Sequence, residues 1–332
     1  MSETRRPVSP GAEEILGRYF PVLDHGFVAL VDYMGTDECI ERAARVSYGY
    51  GTRRASLTRG LLRYLRRHLH TTPSEMVEYK FHCCMPMFVA RQWIRHRTAN
   101  VNEYSGRYSL MPMLFHTPSA EQLQRQSRAN NQGRSGQPVS AAEYAEAVER
   151  WNDLRRRSRD TYEWMTGNDM ARELARIDLP LSTYTQWYWK VDLHNLLHFL
   201  KLRVDPHAQW EIQAFGRVMA GMLKRLAPLS YEAWIDYDVC GARLSRMELD
   251  ALRRLVAVSA EGLRAREGAA LGETELGELG LGKREIRELV AKLHAAQVPD
   301  FELDLNAAER PEVFAERFAR AVPSVDKPPA EG

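Results

Sequence analysis

The side chains best suited to chemistry lie close together in residues 95–108, which read RHRTANVNEYSGRY. Three arginines and one histidine occur there, with Glu103, Ser105 and two asparagines between them. Guanidinium groups bind phosphate oxygens in pairs, and amide and hydroxyl groups suit a heterocycle or a sugar. Cations at the end of a helix would also complement its dipole without any ligand. Because the cations continue past the predicted helix to Arg107, we favour a site for a phosphate-bearing small molecule.

A histidine pair on a predicted helix could instead hold a metal ion. His194 and His198 are four residues apart, as in HExxH zinc sites, and His207 could be a third ligand. The segment HNLLH lacks the internal glutamate, however, and no carboxylate or thiol stands at a supporting spacing. We therefore predict no metal site and assign this helix face to a ligand or to water.

Four cysteines, Cys39, Cys83, Cys84 and Cys240, are the other candidate nucleophiles. No CxxC pair occurs, and adjacent residues of a strand point to opposite faces, so Cys83 and Cys84 are poorly placed to bridge each other. A thiolate there could act on a substrate, but a cysteine on a central strand is usually buried and inert. We predict reduced thiols in a cytoplasmic protein.

The composition argues against several classes of protein. Of 332 residues, 46 are basic and 44 acidic, so the formal net charge of +2 disfavours a general binder of nucleic acids or membrane surfaces. A nucleic-acid-binding regulator that uses the arginine-rich faces of residues 53–67 and 154–159 is the alternative from a different class. No run of 18 apolar residues and no GxGxxG loop occurs, so we expect neither a membrane span nor a standard nucleotide loop.

The elements that must position these side chains follow from hydrophobic periodicity, capping residues and turn signals. Alternation predicts strands, helical spacing predicts a helix-rich chain around them, and a polar stretch predicts a long mobile loop. The predicted strands cover 27–34, 76–85 and 181–191, and the predicted loop covers 119–140. The first predicted helix begins at 36 or 37, further helices cover 56–70, 141–165, 169–179, 192–204 and 207–228, and two more follow after 246.

Two further helices flank the strand over 76–85. The segment TTPSE (71–75) has capping-box spacing and predicts a helix of about one turn, whose free N–H groups could bind an anion or simply lead into the strand. A helix over residues 86–97 would place Gln92, Arg95 and His96 on one face. The whole pattern predicts an α+β fold, with a small sheet and many helices.

Four regions follow from the same patterns. We predict a flexible N-terminal lead-in over residues 1–23, a main domain over 24–245, a helical C-terminal extension over 246–323 and a disordered tail over 324–332.

Several segments together resemble the flavin-dependent thymidylate synthases. RHR, seven residues and then Ser105 is similar to the signature of that family, and further blocks follow in the family's order over about residues 24–240. The extension after residue 246 is not covered. The blocks are RAARVSYG (42–49), HTTPSE (70–75), FVARQWIRHR (88–97), NEYSGRYS (102–109), ARIDLP (175–180) and LRVDPHAQWEI (202–212).

The resemblance implies a reaction and its partners. Members of the family methylate C5 of dUMP to form dTMP, with 5,10-methylenetetrahydrofolate as carbon donor and with FAD, reduced by NADPH, as hydride carrier. It implies a homotetramer whose active sites are shared between subunits, with no nucleic-acid or membrane partner. A flavoenzyme of this fold whose dUMP chemistry has drifted is a further alternative.

The resemblance also implies site residues, with Arg203 as the arginine that pairs with the uracil ring and activates it. At Asp192, His194 and His198 the better-known members have Asn, Arg and Asn, which implies a variant flavin pocket. Positions matched to dUMP binding are Gln92, Trp93, Ile94, Arg95, Glu103, Tyr104, Ser105, Gly106, Arg107, Arg176 and Arg203. Positions matched to FAD binding are Thr72, Arg95, His96, Arg97, Glu103, Asp192, Leu193, His194 and His198.

Overall fold

The structure, a computed structural model that contains both strands and helices, describes residues 6–46, 58–128, 133–259, 262–294 and 297–323. Two units are present, Met1–Tyr231 with Phe301–Gly332, and Glu232–Asp300. The strands are β1 (Tyr19–Val22), β2 (Gly26–Met34), β3 (Glu78–Pro86), β4 (Asn100–Glu103), β5 (Gln124–Gln126), β6 (Arg134–Pro138), β7 (Tyr184–Asp192), β8 (Val256–Ser259) and β9 (Gly262–Ala265). The helices are α1 (Pro10–Ile15), α2 (Asp37–Arg45), α3 (Thr58–Arg67), α4 (Thr72–Glu75), α5 (Met87–Trp93), α6 (Ala141–Gly167), α7 (Arg172–Ala175), α8 (Leu193–Arg203), α9 (Trp210–Leu226), α10 (Pro228–Trp234), α11 (Arg246–Leu255), α12 (Glu273–Glu278), α13 (Lys283–Leu293) and α14 (Pro311–Arg320).

A five-stranded antiparallel sheet in the order β1-β2-β3-β7-β4 forms the centre of the first unit. Its middle strand β3 alternates as predicted, and Tyr79, Phe81 and Cys83 are all completely buried. The register places Phe81 opposite Leu30 of β2 and opposite Trp189 of β7, so large side chains of neighbouring strands pack on one face. The predicted α+β class is confirmed.

The aromatic core around Trp93 determines where α5 ends. The completely buried indole of Trp93 stacks on Phe199 of α8, with ring centroids 4.7 Å apart. It also meets Trp189 of β7 edge-on at 5.3 Å and Phe215 of α9 at 5.9 Å. Such contacts add to the free energy of burying four large rings. They attach the end of α5 to β7, α8 and α9.

The helix predicted over residues 86–97 is observed as the shorter α5. It ends at Trp93, and Arg95 and His96 follow in a turn in which the N–H of His96 donates to the carbonyl of Trp93. The prediction that Gln92, Arg95 and His96 share one helix face is therefore wrong. Trp93 is the last buried residue of this segment, so the polar residues after it gain no burial from staying helical, and the chain turns towards β4.

Three other local predictions are corrected. The helix predicted over residues 169–179 is the single turn α7, which begins only after Asp169, whose φ of 57° is left-handed and breaks a helix. The one-turn helix α4 is observed, but its N-cap is Thr71 and no side chain caps it, so the capping box is wrong. The loop predicted over 119–140 contains the antiparallel pair β5 and β6.

The chain ends also differ from the prediction. The flexible lead-in predicted over 1–23 is wrong where α1 and β1 form, because Ile15 is completely buried and β1 pairs with β2. The predicted extension over 246–323 is not one unit, since the second unit is Glu232–Asp300 and the chain from Phe301 onward belongs to the first. The predicted tail over 324–332 lies outside the described residues.

The second unit has its own small core. Ala251 of α11 packs with Ile286 and Leu289 of α13 in one buried cluster. Lys292 of α13 forms an ion pair of 2.6 Å with the nearly buried carboxylate of Glu248 on α11. Apolar contacts and this pair hold the two predicted amphipathic helices together.

Candidate functional site

An open cleft of about 420 Å³ lies where the α5–β4 connection meets β7 and α8. This connection places RHR (residues 95–97) at the cleft, because Trp93, which precedes RHR in the chain, is held in the aromatic core. The cleft walls combine cationic and apolar side chains, which suits an anionic ligand that also has a flat apolar part. Its lining residues are Arg95, His96, Arg97, Thr98, Trp189, Val191, Asn195, His198, Leu202 and Arg203.

Arg203, in the last turn of α8, is oriented by His96. Its Nε donates to Nε2 of His96 over 3.1 Å, and the imidazole meets Phe199 edge-on at 4.9 Å. Burial, together with the charges of Arg203 and His198, lowers the pKa of His96 to about 4. His96 is therefore neutral near pH 7 and can accept this bond, while the guanidinium stays charged although burial lowers its pKa. The terminal nitrogens of Arg203 are left for a ligand.

The four residues matched to flavin on α8 and at its N-cap have different surroundings. The carboxylate of Asp192 is the N-cap, and it accepts from the backbone N–H of Asn195 at 2.9 Å and from its side-chain amide at 2.7 Å. Leu193 is completely buried, so its side chain belongs to the core. His194 has a buried Nδ1 without a hydrogen-bond partner among the described residues, and His198 is exposed at the cleft.

The cleft contains residues that the sequence analysis missed. Asn195, His198 and Leu202 all line it, and only His198 was predicted. These three residues stand at i, i+3 and i+7, which places them on one face of a helix. Extending the predicted ligand face of α8 from His198 by this spacing would have identified the other two. Trp189 and Val191 come from the neighbouring strand, and no signal in the sequence pairs that strand with RHR.

A second cluster surrounds the loop Ser105–Arg107 after β4. A Cβ atom on Gly106 would stand 2.7 Å from the sulfur of Met111 and 3.1 Å from Cδ of Arg176, so only glycine fits there without a shift. Arg107 forms an exposed ion pair of 2.8 Å with Glu173 of α7. The loop and α7 thus bring Ser105, Gly106, Arg107 and Arg176 together as a second group.

The other matched residues occupy different surroundings. Glu103, at the end of edge strand β4, accepts a 2.7 Å hydrogen bond from the Thr185 hydroxyl of β7. Thr72 lies in a separate groove between α2, α3 and α4. Ile94 is 41% exposed beside RHR, whereas the side chain of Trp93 is completely buried.

Gln92 is linked to a buried polar network. Its side-chain amide donates to the oxygen of Gln209, and the amide of Gln209 donates to Glu211 over 2.9 Å. Glu211 is only 2% exposed, and it pairs with Arg134 and lies 3.9 Å from Nε2 of His116. This network ties α5 to α9 and gives the amide of Gln92 a defined orientation.

His116 is enclosed by two carboxylates. Its Nδ1 lies 2.8 Å from Asp24, whose carboxylate also accepts from the backbone N–H of Thr117 at 2.9 Å. Burial alone would lower the pKa of His116, but the hydrogen bond to Asp24 and the nearby negative charges of Asp24 and Glu211 outweigh it and raise the pKa. Burial would likewise raise the pKa of the Asp24 and Glu211 carboxyl groups. Their polar neighbours, chiefly His116, outweigh burial and lower the pKa of each to about 2.

We expect His116→Asn to reveal this cluster through pH. The raised pKa means that protonated His116 stabilises the folded state fully below its ordinary value of 6.5, and that this contribution is lost as the pH rises through the raised pKa. The two carboxylates contribute above their ordinary pKa of about 4 and lose this as the pH falls towards 2. Melting temperatures between pH 4 and 9 should show the largest advantage of the wild type between about pH 4 and 6.5. A difference that does not vary with pH would contradict this assignment.

The metal and thiol alternatives gain no support. Among the described residues, no group of three or more His, Cys, Asp or Glu is arranged to hold a metal ion. Cys83 and Cys84 are buried in β3, and burial raises the pKa of both thiols. A thiol that is neither exposed nor ionised is a poor nucleophile.

In the part of the chain that the structure describes, no helix is both long and apolar enough to cross a membrane.

The arginine-rich face of α6 has partners within the protein. On α6, Arg156 and Arg157 both pair with Asp153, and Arg155 donates to the carbonyl of His116. Part of the other face, residues 53–57, lies outside the described residues. Cations that already have internal partners do not form the free positive surface that a nucleic-acid binder needs.

The family comparison covers most of the sheet and both clusters. Residues 29–229 match the family described as thymidylate synthase complementing protein. A protein of Ruegeria pomeroyi named flavin-dependent thymidylate synthase is 52% identical over 273 residues, which cover 80% of this chain and 90% of that protein. One of the same name from Wolbachia pipientis wMel is 48% identical over 276 residues, with 83% of this chain and 96% of that protein covered.

A solved structure is similar as well. The UMP/dUMP methylase PolB from Streptomyces cacaoi, bound with 5-Br UMP, superposes with a TM-score of 0.60 at 32% sequence identity. The match covers 66% of this chain and 98% of that chain.

Proposed function

This chain belongs to the flavin-dependent thymidylate synthase family, and on that basis we propose that it converts dUMP to dTMP by reductive methylation. The observation that carries the proposal is the guanidinium of Arg203, held by neutral His96 at a cleft that Arg95 and Arg97 also line. The similarity to a methylase bound with a brominated uracil nucleotide supports a uracil nucleotide as the substrate.

Arg203 would activate the pyrimidine. C5 of uracil is a poor nucleophile, and loss of the N3 proton pushes electron density into the ring towards C5. A guanidinium that stays charged stabilises that ring anion without giving up its own proton. The thiols of Cys83 and Cys84 are buried and poorly placed to add to C6, so charge stabilisation by Arg203 is the activation that we propose.

The cleft residues fit part of a flavin dinucleotide. Arg95, Arg97 and His198 offer charge and donors to a diphosphate, and the unpartnered Nδ1 of His194 lies buried on the same helix. The volume of about 420 Å³ is near the lower end of the roughly 300–1,000 Å³ typical of ligand sites, so it suits only part of FAD. When bound, FAD supplies hydride chemistry; we assign NADPH as its reductant and methylenetetrahydrofolate as carbon donor from the family resemblance.

We further propose that a homotetramer completes each site. Arg107 pairs with Glu173, and Arg176 packs on Gly106, so both belong to the loop cluster rather than to the cleft lining. The loop of one subunit would then bring Arg107 to the phosphate of a nucleotide bound in the cleft of another. Cytoplasmic location stays a prediction from the sequence.

Mixed oligomers test the shared site. Arg107→Ala and Arg203→Ala are each expected to be inactive, but tetramers reassembled from both should contain some sites that lack neither arginine. We therefore expect the mixture to regain activity in the dTMP assay. The control is a tetramer reassembled from Arg203→Ala subunits alone, which should stay inactive in the same assay. Activity that stays absent although mass spectrometry shows mixed tetramers would contradict sharing between subunits.

The function itself is tested on the purified protein. It should take up FAD and absorb in the visible range, dUMP should perturb that spectrum, and dTMP should form when the folate and NADPH are added. Expression should also rescue growth of a thymidine-requiring strain. A protein that takes up no FAD would contradict the proposal, and one that binds FAD but makes no dTMP would favour the drifted flavoenzyme.

A further inference from the structure

Helix α14 lies outside residues 29–229 that match the family, yet it packs on the sheet of the first unit. The inner face of α14 carries two phenylalanines one turn apart. Phe314 is buried against Tyr19 and Phe27 of β1 and β2, with ring centroids 5.8 and 4.8 Å away. The backbone of Tyr19 also exchanges hydrogen bonds with Glu309 just before the helix. These contacts anchor the first turn of α14.

The last turn of α14 contacts both ends of the loop that contains Ser105–Arg107. Phe318 meets the ring of Tyr104 edge-on at 5.5 Å, immediately before the loop. The carbonyl of Ala321 accepts a 2.7 Å hydrogen bond from the N–H of Met113, after the loop. The hydroxyl of Tyr104 donates to the carbonyl of Leu110 at 2.5 Å, which closes the loop on itself.

The closed loop has little freedom to move independently. Gly106 lies between Met111 and Arg176 with too little space for a methyl group, and the N–H of Met111 donates to the Tyr162 hydroxyl at 2.9 Å. A displacement of Tyr104 would therefore reach Gly106 and, through it, the neighbouring arginine. Close-packed side chains transmit such shifts because there is no empty volume to absorb them.

From these contacts we propose that α14 positions the Ser105–Arg107 loop, and that Phe318 is a positioning residue that acts through Tyr104. The inference rests on the proposed function only in assigning that loop to dUMP. Phe318 itself touches no substrate. A segment outside the family-matched residues thereby controls the geometry of the nucleotide site.

Substitutions on α14 separate positioning from helix stability. Phe318→Ala removes the ring against Tyr104, Phe318→Leu keeps apolar bulk there, and Phe314→Leu loosens the anchor on β1 and β2 instead. Val313→Ala, at a side chain 43% exposed on the same helix, is the matched control. Two readouts are measured: amide hydrogen exchange of residues 104–113 without ligand, and the KM and kcat for dUMP.

We expect Phe318→Ala to speed exchange in residues 104–113 and to raise the KM for dUMP about two- to tenfold, the range for one lost aromatic pair, with kcat nearly unchanged. Phe318→Leu should restore most of both, and Val313→Ala should equal the wild type. Unchanged exchange in Phe318→Ala would overturn the proposal, as would an equal effect of Val313→Ala. The exchange readout needs no substrate, so it stands even if the wild type proves inactive on dUMP, the result that would contradict the proposed function instead.

Discussion

Arg203→Ala is expected to abolish dTMP formation while the protein remains folded and still takes up FAD. The side chain carries the charge proposed to stabilise the pyrimidine anion, and removing a preorganised group of this kind lowers kcat by about 10²- to 10³-fold. The loss of a charged hydrogen bond to the ring adds about 1.5–3 kcal/mol to the cost of binding dUMP. Single-turnover formation of dTMP measures the effect on kcat. The change in flavin absorbance when dUMP is added measures the effect on binding.

The choice of controls follows from the bond to His96. Arg203→Lys keeps the charge but loses the Nε–H that donates to His96, so it should recover only a small part of the rate. Arg150→Ala, at an exposed arginine that pairs with Glu146 of its own helix, should behave as the wild type. Turnover of Arg203→Ala within a few-fold of the wild type would show that another group activates the ring.

Trp93→Ala is expected to have the largest effect on stability. The indole is completely buried and has four aromatic neighbours, Trp187, Trp189, Phe199 and Phe215. Truncation of a large buried aromatic side chain lowers the free energy of unfolding by about 3–5 kcal/mol, because the cavity that it leaves cannot close fully. Urea unfolding followed by circular dichroism measures the change.

The same substitution should also impair the cleft, since Trp93 immediately precedes RHR. Trp164→Ala provides the matched control, because that indole on α6 is 61% exposed in the chain. A change of no more than about 0.5 kcal/mol is expected there. If Trp93→Ala unfolded at nearly the urea concentration of the wild type, the aromatic core would not be what holds α5 in place.

Much of the fold could be predicted from periodicity. The alternation in β3 and the helical spacing of α8 both depend on which face is buried, and burial leaves a local pattern. The end of α5 could not be found this way, because the helix stops where Trp93 meets Phe199 and Phe215, residues more than a hundred positions away. Local spacing does not contain that information.

The sequence did not show which predicted site residues group together. The pattern RHR and the resemblance indicated arginines and a histidine as site residues, and the structure brings Arg95, His96 and Arg203 to one cleft. It places Arg107 and Arg176 around a different loop, and it uses Asp192 as a helix cap. Which arginines meet depends on tertiary packing, and a capping carboxylate looks the same in a sequence as a ligand-binding one.

Helix α8 has a consequence for how this enzyme can change. Its eleven residues form a rigid segment about 16 Å long, with the Asp192 cap at one end and Arg203 in the last turn at the other. Because backbone hydrogen bonds keep that length constant, a substitution that tilts the first turn also moves the guanidinium at the far end. If this end of α8 binds flavin as proposed, variation at Asp192 or His194 would also shift Arg203, and we expect it to be tolerated only together with compensating changes near His96.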